Sequence, residues 1–287
     1  MALRFLIIEG NTREVRERAA AGYGRTPSQS YAAAVQEIAP EALCDIAFPA
    51  DEGANLPDPA GLESYDAVFV TGSALNVYDL VPAVTRQIEL MRAVYESGVP
   101  SFGSCWGIQV AAVAAGGEVR VNPAGREVGF ARNIAPTEAG RAHPVLAGRP
   151  AAFAAPASHI DTVTALPGDA VPLASNGMST VQAAEIRYGG GVFWGVQYHP
   201  EYTLAELAAL IEWRAPALTA EGLFTGPEDA AAYVADLRAL DREPSRRDLA
   251  WRHGLDAEVL DPVRRRRELR NFIAHRVLPT RSARGRS

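Results

Sequence analysis

The sequence predicts an α/β fold in which helices cover a doubly wound, mostly parallel sheet and a helical extension follows at the C-terminal end. Three observations carry this reading. Short, continuous apolar runs alternate with helix-period segments through the first hundred residues, as parallel strands buried on both faces require. A strand-to-helix turn, GSCWGIQ at residues 103–109, comes directly after the last of these runs. The 287 residues, 48% hydrophobic and 22% charged, are enough to bury one large core plus an appendage.

The elements follow in order. Leu3 to Ile8 (LRFLII) reads as a first buried strand. A polar segment with Gly22, Gly24 and Pro27 leads to a helix near Ser28 to Ile38, and Ala42 to Phe48 is a second strand. A Pro/Gly-rich loop over 49–61 precedes a third buried strand, Ala67 to Thr71. Val84, Ile88, Met91 and Tyr95 lie at helical spacing in 83–97, a helix ended by Gly98. Pro100 to Phe102 is a short strand leading into the turn. From about 118 to 198 the pattern is more strand-like, with Gly189-Gly190-Gly191 as a hairpin signal. Residues 203–214 and 228–240 return to helical spacing.

The composition excludes a disordered chain, a collagen-like fibre and a disulfide scaffold. Two cysteines, Cys44 and Cys105, suit a reducing compartment. No apolar run approaches the roughly 20 residues of a membrane span, and Phe5 to Ile8 lacks a signal-peptide layout. The expectation is a soluble, cytoplasmic protein. The net charge of −6 conceals a division: residues 241–287 hold 13 Arg against 7 Asp and Glu, a net +6, and residues 1–240 carry −12. All 28 basic residues are arginine, which we attribute to nucleotide bias rather than chemistry.

Two segments carry chemistry. In GSCWGIQ, glycines on both sides of Cys105 let strand and helix approach closely around a strained central residue. Cys105 then stands at a helix N-terminus, where free N–H groups favour negative charge on sulfur. A lone cysteine is more often structural, as we read Cys44, but the turn context outweighs that here. In GVQYHPEY (195–202), again after an apolar strand, His199 and Glu201 are two residues apart. In an extended segment both side chains leave from one side, so Glu201 can fix the tautomer of His199 while the other ring nitrogen faces a thiol.

With these residues in view, the chain resembles a class I glutamine amidotransferase domain, a flavodoxin-like fold with a Cys-His-Glu triad. It is similar to the amidotransferase part of guanosine monophosphate synthetase and to free-standing relatives. The likeness runs over roughly residues 3–215 and includes VTGSALNVYD (70–79), AHPVLAG (142–148) and SHIDTVTALP (158–167). It implies that Cys105 attacks the glutamine side-chain amide, that His199 protonates departing ammonia, and that the thioester is hydrolysed by water activated by His199. It further implies an oxyanion hole from the N–H of Trp106 and one from the turn Gly72-Ser73, where the family often has two glycines. Gln109 matches a position near the bound glutamine, and Val128-Gly129-Phe130 resembles the strand that contacts its α-amino and carboxylate groups. His159 and Asp161 match a segment at the active-site mouth near the synthetase contact, and His143 reads as structural. The scattered His and Cys residues do not have metal-ligand spacing, and the reading calls for no metal or cofactor.

We therefore divide the chain into an amidotransferase-like catalytic domain, 1–215, and a helical, Arg-rich extension, 216–287. In the extension, Asp261-Pro262 is a helix start, and Leu269, Phe272, Ile273 and Val277 form an apolar stripe. A helix-turn-helix over 248–263 would put Pro262 inside its recognition helix at a cost of about 3 kcal/mol, which argues against nucleic acid. The stripe is expected to pack on the acidic body or on a neighbouring subunit. No nucleotide motif is present, so the acceptor chemistry lies on a separate synthetase partner or free ammonia is the product. Two other functions stay open at this point: hydrolysis of a γ-glutamyl amide other than L-glutamine by the same triad, and a non-catalytic binding or regulatory protein on this fold.

Overall fold

The computed structural model describes residues 2–54 and 61–286, so residues 55–60 of the loop expected over 49–61 lie outside it. Eleven strands are found among the described residues: β1 (Arg4–Ile8), β2 (Leu43–Ala47), β3 (Ala67–Val70), β4 (Ser101–Ser104), β5 (Glu118–Val121), β6 (Glu127–Pro136), β7 (Phe153–His159), β8 (Asp161–Ala165), β9 (Ala170–Ser175), β10 (Ala183–Tyr188) and β11 (Gly191–Val196). Nine form one sheet in the order β2-β1-β3-β4-β11-β10-β9-β6-β7, and β5 pairs with β8. The run β2-β1-β3-β4-β11 is parallel; the pairs from β11 to β7 are antiparallel. The expected hairpin is the β10–β11 turn, closed by Tyr188↔Gly191.

Strands β1, β3 and β11 each serve two cores because their side chains alternate. Phe5 and Ile7 face one side with Phe69, Phe102 and Trp194, whereas Leu6 and Ile8 face the other with Val68, Val70 and Phe193. Helices α1 (Arg13–Tyr23), α2 (Pro27–Gln36), α3 (Pro82–Ser97), α4 (Trp106–Ala114) and α5 (Glu138–Ala142) follow in chain order. Helix α3 buries Val84, Ile88, Met91 and Tyr95, the four residues its spacing singled out. Helix α1 is a departure from the sequence reading, which saw only a polar segment. It buries only Arg16 and Ala19, so it presents no apolar stripe, and Arg16 is held by paired hydrogen bonds to Asp51.

Helices α6 (Leu204–Ala220), α7 (Pro227–Arg242) and α8 (Arg247–His253) build a third core with Phe130. Helix α6 continues through Pro216, past the expected end at residue 214. Short helices α9 (Ala257–Leu260), α10 (Pro262–Arg265) and α11 (Arg267–Phe272) lead through a π-helical turn, Ile273–Val277, to α12 (Leu278–Ala283). Asp261 caps α10 as its sequence suggests, its side chain accepting from Val263 N at 2.8 Å. The apolar stripe Leu269, Phe272, Ile273 and Val277 lies in the same core as Phe5, Phe69 and Phe102. The extension thus packs on its own chain and covers one face of the parallel sheet.

Candidate active site

The site lies where β3, β4 and β11 end, at the carboxyl edge of the parallel strands, where open α/β sheets bind their ligands. Cys105 sits between β4 and α4 with φ 52° and ψ −101°, a left-handed conformation costing a non-glycine residue about 1–3 kcal/mol. The turn holds it there by close packing. A Cβ on Gly103 would lie 2.8 Å from Gly107 Cα, so any larger residue would pry strand from helix. The Cys105 N–H is tied to Val196 O at 2.8 Å, linking the nucleophile turn to the end of β11. Trp106 begins α4; its side chain is fully buried and donates to Gln87 Oε1 at 2.8 Å.

His199 and Glu201 follow β11 in an irregular segment. His199 Nδ1 donates to Glu201 Oε1 at 2.7 Å, and its imidazole shares a cavity wall with Cys105, whose Sγ donates to Ser158 O at 3.8 Å. Burial opposes a charge on His199, but the Glu201 carboxylate, hydrogen-bonded to its ring, and the neighbouring Cys105 prevail and push its pKa up to about 10. The imidazole therefore keeps both protons at neutral pH. Glu201 is fixed from behind: Ser104 Oγ donates to its Oε2 at 2.8 Å, and Tyr31 Oη lies 3.1 Å from Ser104 Oγ. Tyr202 stacks on the imidazole, with ring centroids 4.1 Å apart and an interplanar angle of 1°. Ser104 and Tyr202 fall inside the two motifs, but nothing in their spacing revealed these contacts.

Gly72 must be small because a Cβ there would come within 2.7 Å of His199 Cε1. Ser73 donates through Oγ to Gly10 O at 2.8 Å, leaving its backbone N–H without an acceptor among the described residues. Two cavities meet at Cys105, sharing Ser73, Ala74, Ser158 and Arg214 in their walls. One is lined by Val15, Ala19, Tyr23, Leu210 and Trp213 beside His199. The other is polar, with Gln109, Arg126, His159 and Asp161. Gln109 Nε2 donates to Asp161 O and Gln197 Oε1, both at 3.3 Å. Arg214 stands in both cavity walls and has no hydrogen-bond acceptor among the described residues; sequence reasoning gave no sign of it.

Val128, Gly129 and Phe130 line neither of these cavities, although Val128 pairs across the sheet with Ser158, whose carbonyl accepts from Cys105 Sγ at 3.8 Å. They lie on β6, where Val128 and Phe130 line a separate cavity with Leu223 and Tyr233 Oη closes over Gly129. His159 is buried between Asp161 O and Glu127 Oε2, each 2.9 Å from a ring nitrogen. His143 accepts from Val145 N and contacts Glu185, a structural setting. Among the described residues, no group of three His, Cys, Asp or Glu could hold a metal ion, and no helix is long and apolar enough to cross a membrane.

Fold and site define a class of α/β proteins built around a cysteine at a strand-to-helix turn, with a His-x-Glu pair at the next strand end. The chain belongs to the class I glutamine amidotransferase family: the family model for "Glutamine amidotransferase class-I" matches residues 43–213. A γ-glutamyl-L-1-hydroxyisopropylamide hydrolase from Pseudomonas sp. is 36% identical over 286 residues, covering 97% of this chain and 94% of that protein. A GMP synthase from Enterobacter sp. (strain 638) is 37% identical over 115 residues, 38% of this chain but only 21% of the synthase. A glutamine amidotransferase structure from Thermotoga maritima shares the fold, with TM-score 0.61 and 19% identity over 94% of this chain and 99% of that one.

Proposed function

We propose that this chain is a cysteine-dependent hydrolase of γ-glutamyl amides. The observation that carries the reading is the pair of unlike cavities meeting at Cys105. A γ-glutamyl amide has a zwitterionic head and an amine tail on either side of one carbonyl. Arg214 against Asp161 gives the polar side complementary charges for the head, with Arg126, itself paired to Glu221, in the same wall. Val15, Leu210 and Trp213 give the other side an apolar wall suited to an alkylamine. Similarity to the hydroxyisopropylamide hydrolase along nearly both chains, the extension included, supports the same reading.

In the first half-reaction Cys105 Sγ attacks the γ-carbonyl, and the oxyanion receives the N–H groups of Trp106 and Ser73. The tetrahedral intermediate collapses as His199, protonated through its pairing with Glu201, gives a proton to the departing amine. Water, deprotonated by the now neutral His199, then attacks the thioester. Glutamate leaves and Cys105 regains its starting state. Glutamine fits the same steps with ammonia as the leaving group. That second reading, a glutaminase supplying ammonia to a separate synthetase partner, is favoured by the similarity to the GMP synthases. We keep residues 1–215 as the catalytic unit and 216–287 as an extension that completes its core.

The test is amine and ammonia release from γ-glutamyl alkylamides and from L-glutamine by the purified protein. The expected result is a kcat/KM at least about tenfold higher for an alkylamide, since each methylene in an apolar pocket is worth about 10–200-fold. Cleavage of glutamine alone would favour the ammonia-supplying reading. Full activity in Cys105→Ala would remove the thiol from the mechanism.

A further inference from the structure

We infer that Asn11 is a positioning residue that presets the Ser73 N–H as an oxyanion donor; the inference rests on the proposed thioester chemistry at Cys105. Asn11 follows β1 and is 5% exposed. Glu9, fully buried, determines which way its amide points. Glu9 Oε1 accepts from Asn11 N at 3.1 Å and from Asn11 Nδ2 at 2.9 Å, and Oε2 accepts from Ser28 N at 2.8 Å. Only the amide nitrogen can face the carboxyl group, so the oxygen faces away. The two ends then grip the loop after β3: Nδ2 donates to Gly72 O at 3.1 Å, and Oδ1 accepts from Ala74 N at 2.9 Å.

This grip selects one face of the Gly72–Ser73 peptide. The sheet order places β1 on one side of β3 and β4 on the other. Gly72 O points to the β1 side, where it also accepts from Thr71 Oγ1 at 2.9 Å. No cis bond is present among the described residues, and in a trans peptide the carbonyl and the next N–H point in opposite directions. The Ser73 N–H therefore points toward the β4 side, where Cys105 follows the strand, and it has no acceptor there among the described residues. Ser73 adds a second anchor through its own hydroxyl, which donates to Gly10 O at 2.8 Å and accepts from Leu75 N at 3.1 Å. Turning the peptide over would leave Asn11 Nδ2 and Gly72 O short of partners in a buried place.

The experiment uses the full chain and compares Asn11→Ala, with Asn11→Ser as the milder variant should the first fold poorly, on two reactions of Cys105. Amide hydrolysis passes through an oxyanion. Alkylation by iodoacetamide does not, because sulfur displaces iodide from a saturated carbon in one step. The expected result is a kcat reduced about tenfold to a hundredfold at similar KM, somewhat less than outright loss of an oxyanion donor. The alkylation rate should stay within about twofold of wild type. An unchanged kcat, or equal losses in both reactions, would overturn the inference. A wild-type protein that reacts with iodoacetamide but cleaves no γ-glutamyl amide would overturn the proposed function itself, and the oxyanion role with it.

Discussion

Phe272→Ala tests whether the C-terminal segment is structural core or detachable appendage. Phe272 is 0% exposed and lies outside the stretch matched by the family model. Its ring meets Phe69 of β3 at 5.5 Å, Phe102 of β4 at 5.5 Å and Trp194 of β11 at 5.8 Å, measured between centroids. Truncation would empty the space above three neighbouring parallel strands, which cannot collapse without disturbing the sheet. Buried Phe→Ala changes cost about 3–5 kcal/mol, and the three lost aromatic pairs favour the upper half of that range. For a chain of this size the loss corresponds to about 5–10 °C in Tm. Thermal unfolding followed by circular dichroism reads it directly. Val263→Ala, at a 56% exposed position on the same extension, should stay within about 0.5 kcal/mol. A Phe272→Ala shift as small as that control would refute the reasoning and make the segment an attachment.

Two other perturbations address the site. In Glu201→Gln the carboxylate that holds the His199 proton is gone, leaving burial opposed only by Cys105, so the imidazole pKa should fall and acylation should slow by at least about a hundredfold. The same change has a stability signature. Folded His199 is raised from 6.5 to about 10, so its proton contributes stability that is complete below pH about 6.5 and is lost as pH rises through about 10. Denaturant midpoints measured from pH 6 to pH 10 should therefore fall in wild type and fall less in Glu201→Gln; parallel curves would contradict the assignment. Gly72→Ala would bring a Cβ to 2.7 Å from His199 Cε1. It should cost at least about tenfold in kcat/KM with a folded circular dichroism spectrum, and wild-type activity would show that the imidazole has room to move.

What the sequence made legible was whatever rests on local pattern. Cys105, His199 and Glu201 stood out because a glycine-flanked turn and a His-x-Glu strand end each demand a particular backbone. The parallel strands were legible because burial on both faces leaves uninterrupted apolar runs. Helix α1 was not, because its buried side is an arginine paired with Asp51, 35 residues away, and no periodicity records a partner at that distance. Asn11 was hidden for the same reason: its amide joins residues 61 to 63 positions apart that only the pairing of β1 with β3 makes neighbours. Val128-Gly129-Phe130 lies one strand from Cys105, opposite Ser158 and its neighbours, yet lines neither cavity there.

The charge division acquires a physical meaning once the arginines are followed to their partners. Arg149, in the acidic part, is buried between Glu258 at 2.8 Å and Glu268 at 2.7 Å, so the basic extension supplies the acids here. Glu268 also accepts from Tyr198 Oη at 2.9 Å, directly before His199. In the other direction Arg266 pairs with Glu37, and Arg284 and Arg286 donate to carbonyls of Ser64, Tyr65 and Ser97. Guanidinium groups suit this use because several N–H donors in one plane can satisfy carbonyl oxygens that have no strand or helix to bond. A chain whose extension holds both its sheet and the residue before its imidazole would not gain from separating the two. Part of its positive charge is therefore engaged within the chain, and net charge alone is a poor guide to what such a segment binds.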